Sequence, residues 1–259
     1  MSDGTCTDVA TVTYTVNASP AANNQTPAVL CEDVSGGGTV AGIDLTALNA
    51  AIDGGAGHTI TWYTDAGLTT PVGDPTNETV SNGSVYYAEV DDGTCTNVAT
   101  ATYTVNSLPA VNNQTPAVCE DVSGGGTAAV DLTALNSAID GGAGHTITWY
   151  TDAGLTTPVG DPTNETVNNG AIYYAEVSDG TCTDVATVNY TVNTLPTAAD
   201  QTPLVCEDVA GGGTAAVDLT TLNAAIDGGA GHTVTWYTDA GLTTPVGDPT
   251  NETVRNGST

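Results

Sequence analysis

Short runs in which apolar and polar residues alternate recur along the 259-residue chain, separated by clusters of Gly, Pro, Asp and Asn. In HTITWYT, residues 145–151, Ile147 and Trp149 fall on one face and Thr146, Thr148 and Tyr150 on the other. Alternation of that kind predicts a half-buried strand. Upstream, TAAVDLTAL (127–135) reads as a strand and ALNSAI (134–139) as a single helical turn or strand end. The glycine clusters SGGGT and DGGAGH read as turns. Downstream, residues 152–170 are dense in Gly, Pro, Asp and Asn, which makes them turns around one or two short strands. AIYYAEV and DVATVNYTVN then follow as two closing strands, joined hairpin-fashion at SDGTCT. The leading SLPAVNNQTP, with Pro109 and Pro116, reads as a linker with a short edge strand. Six or seven short strands, a Trp on a middle one and no long helix predict an all-β fold, a sandwich of immunoglobulin-like type.

The pattern occurs three times. TWYTDAGLTTPVGDPTNETV stands unaltered at residues 61–80, 148–167 and 235–254, and Trp62, Trp149 and Trp236 are 87 apart at each step. That period suits tandem small β-modules and exceeds most helical repeats. The frame divides the chain into residues 1–17, the terminal strands of an incomplete unit; complete units at 18–106 and 107–193; and a unit at 194–259 without its last two strands. Residues 2–17 differ from 178–193 only by Thr13 in place of Asn189. Two readings of this frame stay open. The chain is a piece of a longer repeat protein, or the head of one copy completes the tail of another by strand complementation into fibres.

Charge narrows the partners. Thirty acidic residues stand against Arg255 alone, a formal net charge of −29. Nucleic acid is excluded, because binding a polyanion requires clustered Lys and Arg. Anionic membrane surfaces are disfavoured for the same reason, and no apolar run long enough to insert into a membrane is present. A hydrophobic content of 39%, with three Trp and ten Tyr, argues for folding rather than the disorder that acidity alone suggests. Nearly devoid of Lys and Arg, the chain offers trypsin-like proteases almost no cleavage site. Met1 is followed by SDGTCT, which does not read as a signal peptide.

Candidate chemistry is sparse. His58, His145 and His232 each precede a Trp strand, with neither a nucleophile nor two further metal ligands in the pattern. The glycine clusters lack the lysine of a phosphate loop. Carboxylates are the binding candidates, Glu120, Asp121, Asp131 and Asp140 among them. No single loop supplies the six to eight oxygens calcium takes, so a Ca²⁺ site would have to be assembled from distant loops at a module boundary. Trp62, Trp149 and Trp236 read as core residues, with sugar stacking as the competing role. Asn17, Asn24, Asn77, Asn113, Asn164 and Asn251 fit the N-x-[ST] pattern but read as polar turns. Six cysteines fall in two contexts, GTCT (Cys6, Cys95, Cys182) and CED (Cys31, Cys119, Cys206). Without CxxC pairs or adjacent histidines they read as disulfides of an extracellular protein rather than zinc ligands.

The run from CEDVSGGGTAAVDLTALNSAIDGGAGHTITWYTDAGL through IYYAEVSDGTCTDVATVNYTVN resembles the immunoglobulin-like repeats of very large bacterial surface adhesins, those of gliding bacteria and their relatives. The resemblance extends over the whole chain, repeat by repeat. It implies a non-enzymatic structural or adhesive protein of the extracellular bacterial surface, a stalk or fibre that self-associates or continues into further repeats; glycans are the candidate partners of the sugar-stacking role. A carbohydrate-binding array or an accessory region of a secreted enzyme are the alternatives. CEDVSGGG departs from the resemblance by carrying glycines where aspartates are usual, which weakens calcium binding there. The resemblance also implies cystines inside each unit, Cys31 with Cys95 and Cys119 with Cys182, leaving Cys6 and Cys206 to join one subunit to the next. Sequence-local pairing, Cys6–Cys31, Cys95–Cys119 and Cys182–Cys206, is the other arrangement. It is disfavoured because the closing strand runs about 30 Å away from Cys182 before the chain reaches Cys206.

Overall fold

The computed structural model of the protein describes residues 1–2 and 4–258. The first repeat contains seven strands: β1 (Leu30–Cys31), β2 (Thr39–Ile43), β3 (Thr59–Tyr63), β4 (Glu78–Ser81), β5 (Val85–Asp91), β6 (Thr96–Thr102) and β7 (Val105–Asn106). They form a three-stranded sheet in the order β3-β5-β6, the antiparallel pair β2-β4 and the parallel pair β1-β7. Side chains of both larger sheets enter one core: Val40 and Val80 from one, Trp62, Tyr86, Ala88, Val90, Ala99 and Ala101 from the other. This is the immunoglobulin-like sandwich, with β3, β5 and β6 as its C, F and G strands and β2 beside β4 as B beside E. Trp62 sits on the C strand, as that fold requires. Tyr86, at the start of the F strand, donates from Oη to the Thr79 carbonyl oxygen at 3.2 Å, the tyrosine corner of such domains. Burial pushes its phenol up to about 12.

Sequence and structure part company after β2. The run TAAVDLTAL, read as one strand, ends as a strand at Val130 and continues as a 3₁₀ turn over Leu132–Leu135 and a helical turn over Asn136–Ile139. Asp131 causes the break. Its Oδ1 accepts from the Thr133 N–H at 2.9 Å and from the Thr133 hydroxyl, capping the turn as Asp44 does in the first repeat. The turn buries Leu132 and Ile139, so the apolar residues of this stretch serve the core from a helix rather than a strand.

The first repeat also carries one residue more than the second between Thr39 and Asp44, and β2 absorbs it as a bulge between Val40 and Ile43. Gly42 adopts φ +73° there, a conformation that favours glycine. Gly42→Ala is expected to cost about 1–2 kcal/mol, the left-handed penalty for an L side chain, seen as a lower urea midpoint.

The second repeat contains β8 (Ala117–Cys119), β9 (Thr127–Val130), β10 (Thr146–Tyr150), β11 (Glu165–Asn168), β12 (Ile172–Ser178), β13 (Thr183–Asn189) and β14 (Thr191–Asn193), paired as in the first. The third contains β15 (Thr214–Val217) and β16 (Glu252–Arg255). Two compact units divide the chain. The first holds Met1–Gln114, Ala134–Pro158 and Tyr174–Thr187; the second holds Thr115–Thr133, Val159–Tyr173 and Val188–Thr259. The division runs through the second repeat, whose β10 lies in the first unit and whose β8, β9, β11 and β14 lie in the second.

Residues 4–17, expected as closing strands, belong to no sheet; Ser2–Thr7 is the one β-bridge among the described residues of this segment. Val12, Tyr14 and Val16 are 73%, 85% and 93% exposed, whereas their equivalents Val188, Tyr190 and Val192 are buried. A G strand needs an F strand beside it, and this segment has none among the described residues. The same holds in the third repeat, where Thr233–Tyr237 does not form the strand its alternation predicts: among the described residues no equivalent of β5 or β12 lies beside it.

Candidate functional site

A single cystine joins Cys31 of the first repeat to Cys182 of the second, with Cα atoms 5.7 Å apart and 151 residues between them in sequence. It replaces both expected intra-unit pairs, Cys31–Cys95 and Cys119–Cys182; Cys95 and Cys119 are free thiols. The reason lies in strand direction. Cys31 stands beside Asn106 at the far end of the closing strand, whereas Cys95 precedes β6 at the near end. The intervening residues span about 30 Å at ~3.3 Å each, and a disulfide tolerates Cα separations only up to about 7 Å. The two cysteines of one repeat therefore mark its opposite ends. The bond also displaces the sequence-local pairs that used Cys31 or Cys182.

Each side of the junction is built by local hydrogen bonding. Cys182 lies in the hairpin between β12 and β13, where Asp179 Oδ1 accepts from the N–H groups of Thr181 and Cys182 at 2.8 Å each. Asp92 holds Thr94 and Cys95 identically in the first repeat. On the other side, Glu32 follows Cys31 and is 4% exposed. Its carboxylate accepts from Gly36 N at 2.7 Å, Gly38 N at 2.6 Å and, across the start of the next repeat, Leu108 N at 3.1 Å. Glu120 is 3% exposed and likewise accepts from Gly124, Gly126 and Leu195 at 2.8, 2.8 and 3.0 Å. The linker opening each following repeat is thus tied to a buried carboxylate one residue from a CED cysteine.

These N–H groups, Gly36 first, then Gly38 and Leu108, hold Glu32 below its ordinary 4.5, and Gly124, Gly126 and Leu195 do the same for Glu120. A carboxyl lowered in the folded state contributes stability that is complete above 4.5 and is lost as pH falls through the lowered folded value. Unfolding by acid should accordingly steepen below pH 4.5, and a Glu32→Gln, Glu120→Gln double variant should lose part of that acid dependence in a pH series of thermal melts.

The carboxylates nominated for calcium are committed elsewhere. Asp121 accepts from Ala129 N at 2.7 Å, and Asp131 caps Thr133. Asp140 accepts from Gly142, Gly144 and His145 at 2.8, 2.8 and 3.0 Å. Among the described residues no three His, Cys, Asp or Glu side chains gather as metal ligands. Acid and glycine form a staple in these loops: Glu with glycines at +4 and +6, Asp with glycines at +2 and +4. That fixed spacing stands in the sequence, in CEDVSGGG and DGGAG, and was the available signal. Trp62 and Trp149 are each 3% exposed and donate from Nε1 to Asn49 and Asn136 at 3.1 Å, so neither presents a ring face for a sugar. Trp236 donates to Asn223 at 3.0 Å. Cys206 is exposed in the third repeat.

A sandwich module bonded covalently to the module after it defines the class: a tandem immunoglobulin-like repeat protein with a disulfide between domains. Residues 115–196 match the model of the Flavobacterium inter-domain disulphide bond domain family. No curated protein matches the chain. Similar solved structures include the I-band fragment I67–I69 of titin (14% identity, TM-score 0.26, covering 65% of this chain and 63% of that one). The insect immune protein hemolin is another (11%, 0.27, 67% and 46%), as are extracellular domains 3–5 of Drosophila OTK (14%, 0.26, 66% and 60%). The chain spans less than two thirds of the length of each of these. A cystine persists outside the reducing cytoplasm, so the protein is non-cytoplasmic. No helix of the described residues is long and apolar enough to cross a membrane.

Proposed function

We propose that the chain is a non-enzymatic structural repeat protein of the bacterial cell surface, a stalk or fibre whose successive modules are cross-linked so that neighbours cannot separate under load. The observation that carries this reading is the Cys31–Cys182 bond. A cystine buried inside one module protects that module alone; a cystine between modules fixes the joint, which matters where modules must bear force together. The burial of Glu32 and Glu120 against the next linker supports the same role, as it anchors the start of the following repeat at each joint. The likeness to surface adhesins of gliding bacteria supports a place on the cell exterior, and the near absence of basic residues suits exposure to proteases. Self-association and glycan targets fit this role as partners. Electron microscopy of native material tests it: stalks or filaments that lose rigidity in reductant are the expected result, and dispersed single molecules indifferent to reductant would contradict it.

A further inference from the structure

The outer face of the C–F–G sheet carries a patch that neither the core nor the cystine uses. Alternation along β5 sends Tyr86, Ala88 and Val90 inward and leaves Val85, Tyr87, Glu89 and Asp91 on the solvent side. Tyr87 stands directly opposite Tyr63 of β3 on one side and Thr100 of β6 on the other; Glu89 stands likewise between Thr61 and Val98. Opposed residues of this kind have Cβ atoms about 5 Å apart, so two phenol rings and a carboxylate share one small area. Both tyrosines and Glu89 are half-buried, while Thr61, Val85, Asp91 and Val98 around them are exposed. The second repeat builds the same patch, with Tyr150 opposite Tyr174 and Thr148 opposite Glu176.

The polar groups of the patch are arranged in advance. The Tyr63 hydroxyl donates to Glu89 Oε2 at 3.2 Å, and the Tyr150 hydroxyl to Glu176 Oε2 at 3.1 Å. Burial, and then the bond to Glu89, pushes the Tyr63 phenol above its ordinary value, which keeps it a neutral donor. Each carboxylate is thereby held beside the rings, and among the described residues its Oε1 accepts from no protein group. The chain has no cation to set against these carboxylates: Arg255 is its one Lys or Arg, and its net charge is −29.

We propose that the outer C–F–G face of the first and of the second repeat is a docking site for arginine side chains of a basic protein partner, each guanidinium lying against the paired tyrosines and bonding to Glu89 or Glu176. Charge complementarity selects the partner. A surface of this sign draws a basic protein from a distance and repels anionic ligands. It equally repels a second copy of the chain, which has a single arginine to offer. At contact the patch selects arginine: a planar guanidinium stacks on a tyrosine ring and gives parallel N–H bonds to a carboxylate, which a lysine ammonium cannot do. The docking role goes beyond the structural one and does not rest on it.

Calorimetric titration of the intact oxidised chain with a capped peptide of alternating glycine and arginine tests the proposal. The parent should bind, and the Tyr87→Ser, Tyr174→Ser double variant should bind on the order of tenfold more weakly, as a lost cation–π contact implies. A Glu89→Gln, Glu176→Gln double variant should lose a similar factor; its side chains keep their shape, so its dichroism and melting midpoint should match the parent and the loss cannot come from unfolding. Asp8→Asn with Asp200→Asn removes the same charge from positions outside any sheet and should leave the affinity nearly unchanged. The same peptide with citrulline for arginine, neutral and of equal shape, should bind at least on the order of tenfold more weakly than the arginine form. No binding by the parent, equal loss in the Asp8, Asp200 control, or equal binding of the citrulline peptide would overturn the proposal. Displacement of the arginine peptide by a neutral oligosaccharide such as maltoheptaose would overturn it in favour of a glycan. Each of these failures leaves the Cys31–Cys182 bond and the structural reading built on it untouched.

Discussion

Reduction of the Cys31–Cys182 bond, or Cys31→Ser, is expected to lower the stability of the first unit by about 5 kcal/mol. The loop it closes, 151 residues long, is among the largest this chain could form, and the chain-entropy relation gives about 5 kcal/mol for that length. For a cooperative unit of this size the change should move the melting midpoint by roughly 10–20 °C. The loss concerns the unfolded chain, which gains freedom, more than the folded one, which keeps its sheets. Reduced protein should therefore show native far-ultraviolet dichroism at low temperature and melt early. Cys95→Ser is the control: its thiol is free, and its replacement should leave the midpoint unmoved. Equal sensitivity of the two variants would mean that Cys95 is bonded.

Trp62→Ala is expected to cost about 3–5 kcal/mol, the usual range for removing a large aromatic from a core. The indole is 3% exposed, packs in the cluster with Leu45, Ile52 and Val80, and donates to Asn49. Truncation leaves a cavity that the rigid β3-β5-β6 sheet cannot fill and an Asn49 acceptor without its donor. For a module of fewer than a hundred residues that loss is a large share of all its stability. Trp62→Phe, which keeps most of the volume but not the N–H, should fall between the two. Urea titration followed by far-ultraviolet dichroism gives the values. A stable Trp62→Ala variant that had lost only glycan binding would instead restore the sugar-stacking role.

Much of the fold was legible because alternation reports directly which face of a strand is buried. TITWY, IYYAEV and the repeat period all led to the sandwich, and the tryptophan marked its C strand. Capping was harder to see. Asp131 ends a strand that its apolar neighbours would extend, since one carboxylate captures the Thr133 N–H and hydroxyl together. The acidic loops misled in a different way. Glu120 and Asp140 look like metal ligands in isolation, and only their spacing to the following glycines shows that backbone N–H groups already occupy them. The cystine lay furthest from the sequence. Two cysteines per repeat suggest a pair, but pairing depends on which end of the module each occupies. That follows from the parallel β1-β7 register, a long-range arrangement that the period of the sequence does not report.

Covalent bonding runs between repeats and not within them. Cleavage of the oxidised protein at acidic residues, without reduction, followed by mass spectrometry tests it most directly. A peptide containing Cys31 disulfide-linked to one containing Cys182, with Cys95 and Cys119 open to alkylation, is the predicted result; Cys31 linked to Cys95, or Cys119 linked to Cys182, would contradict it.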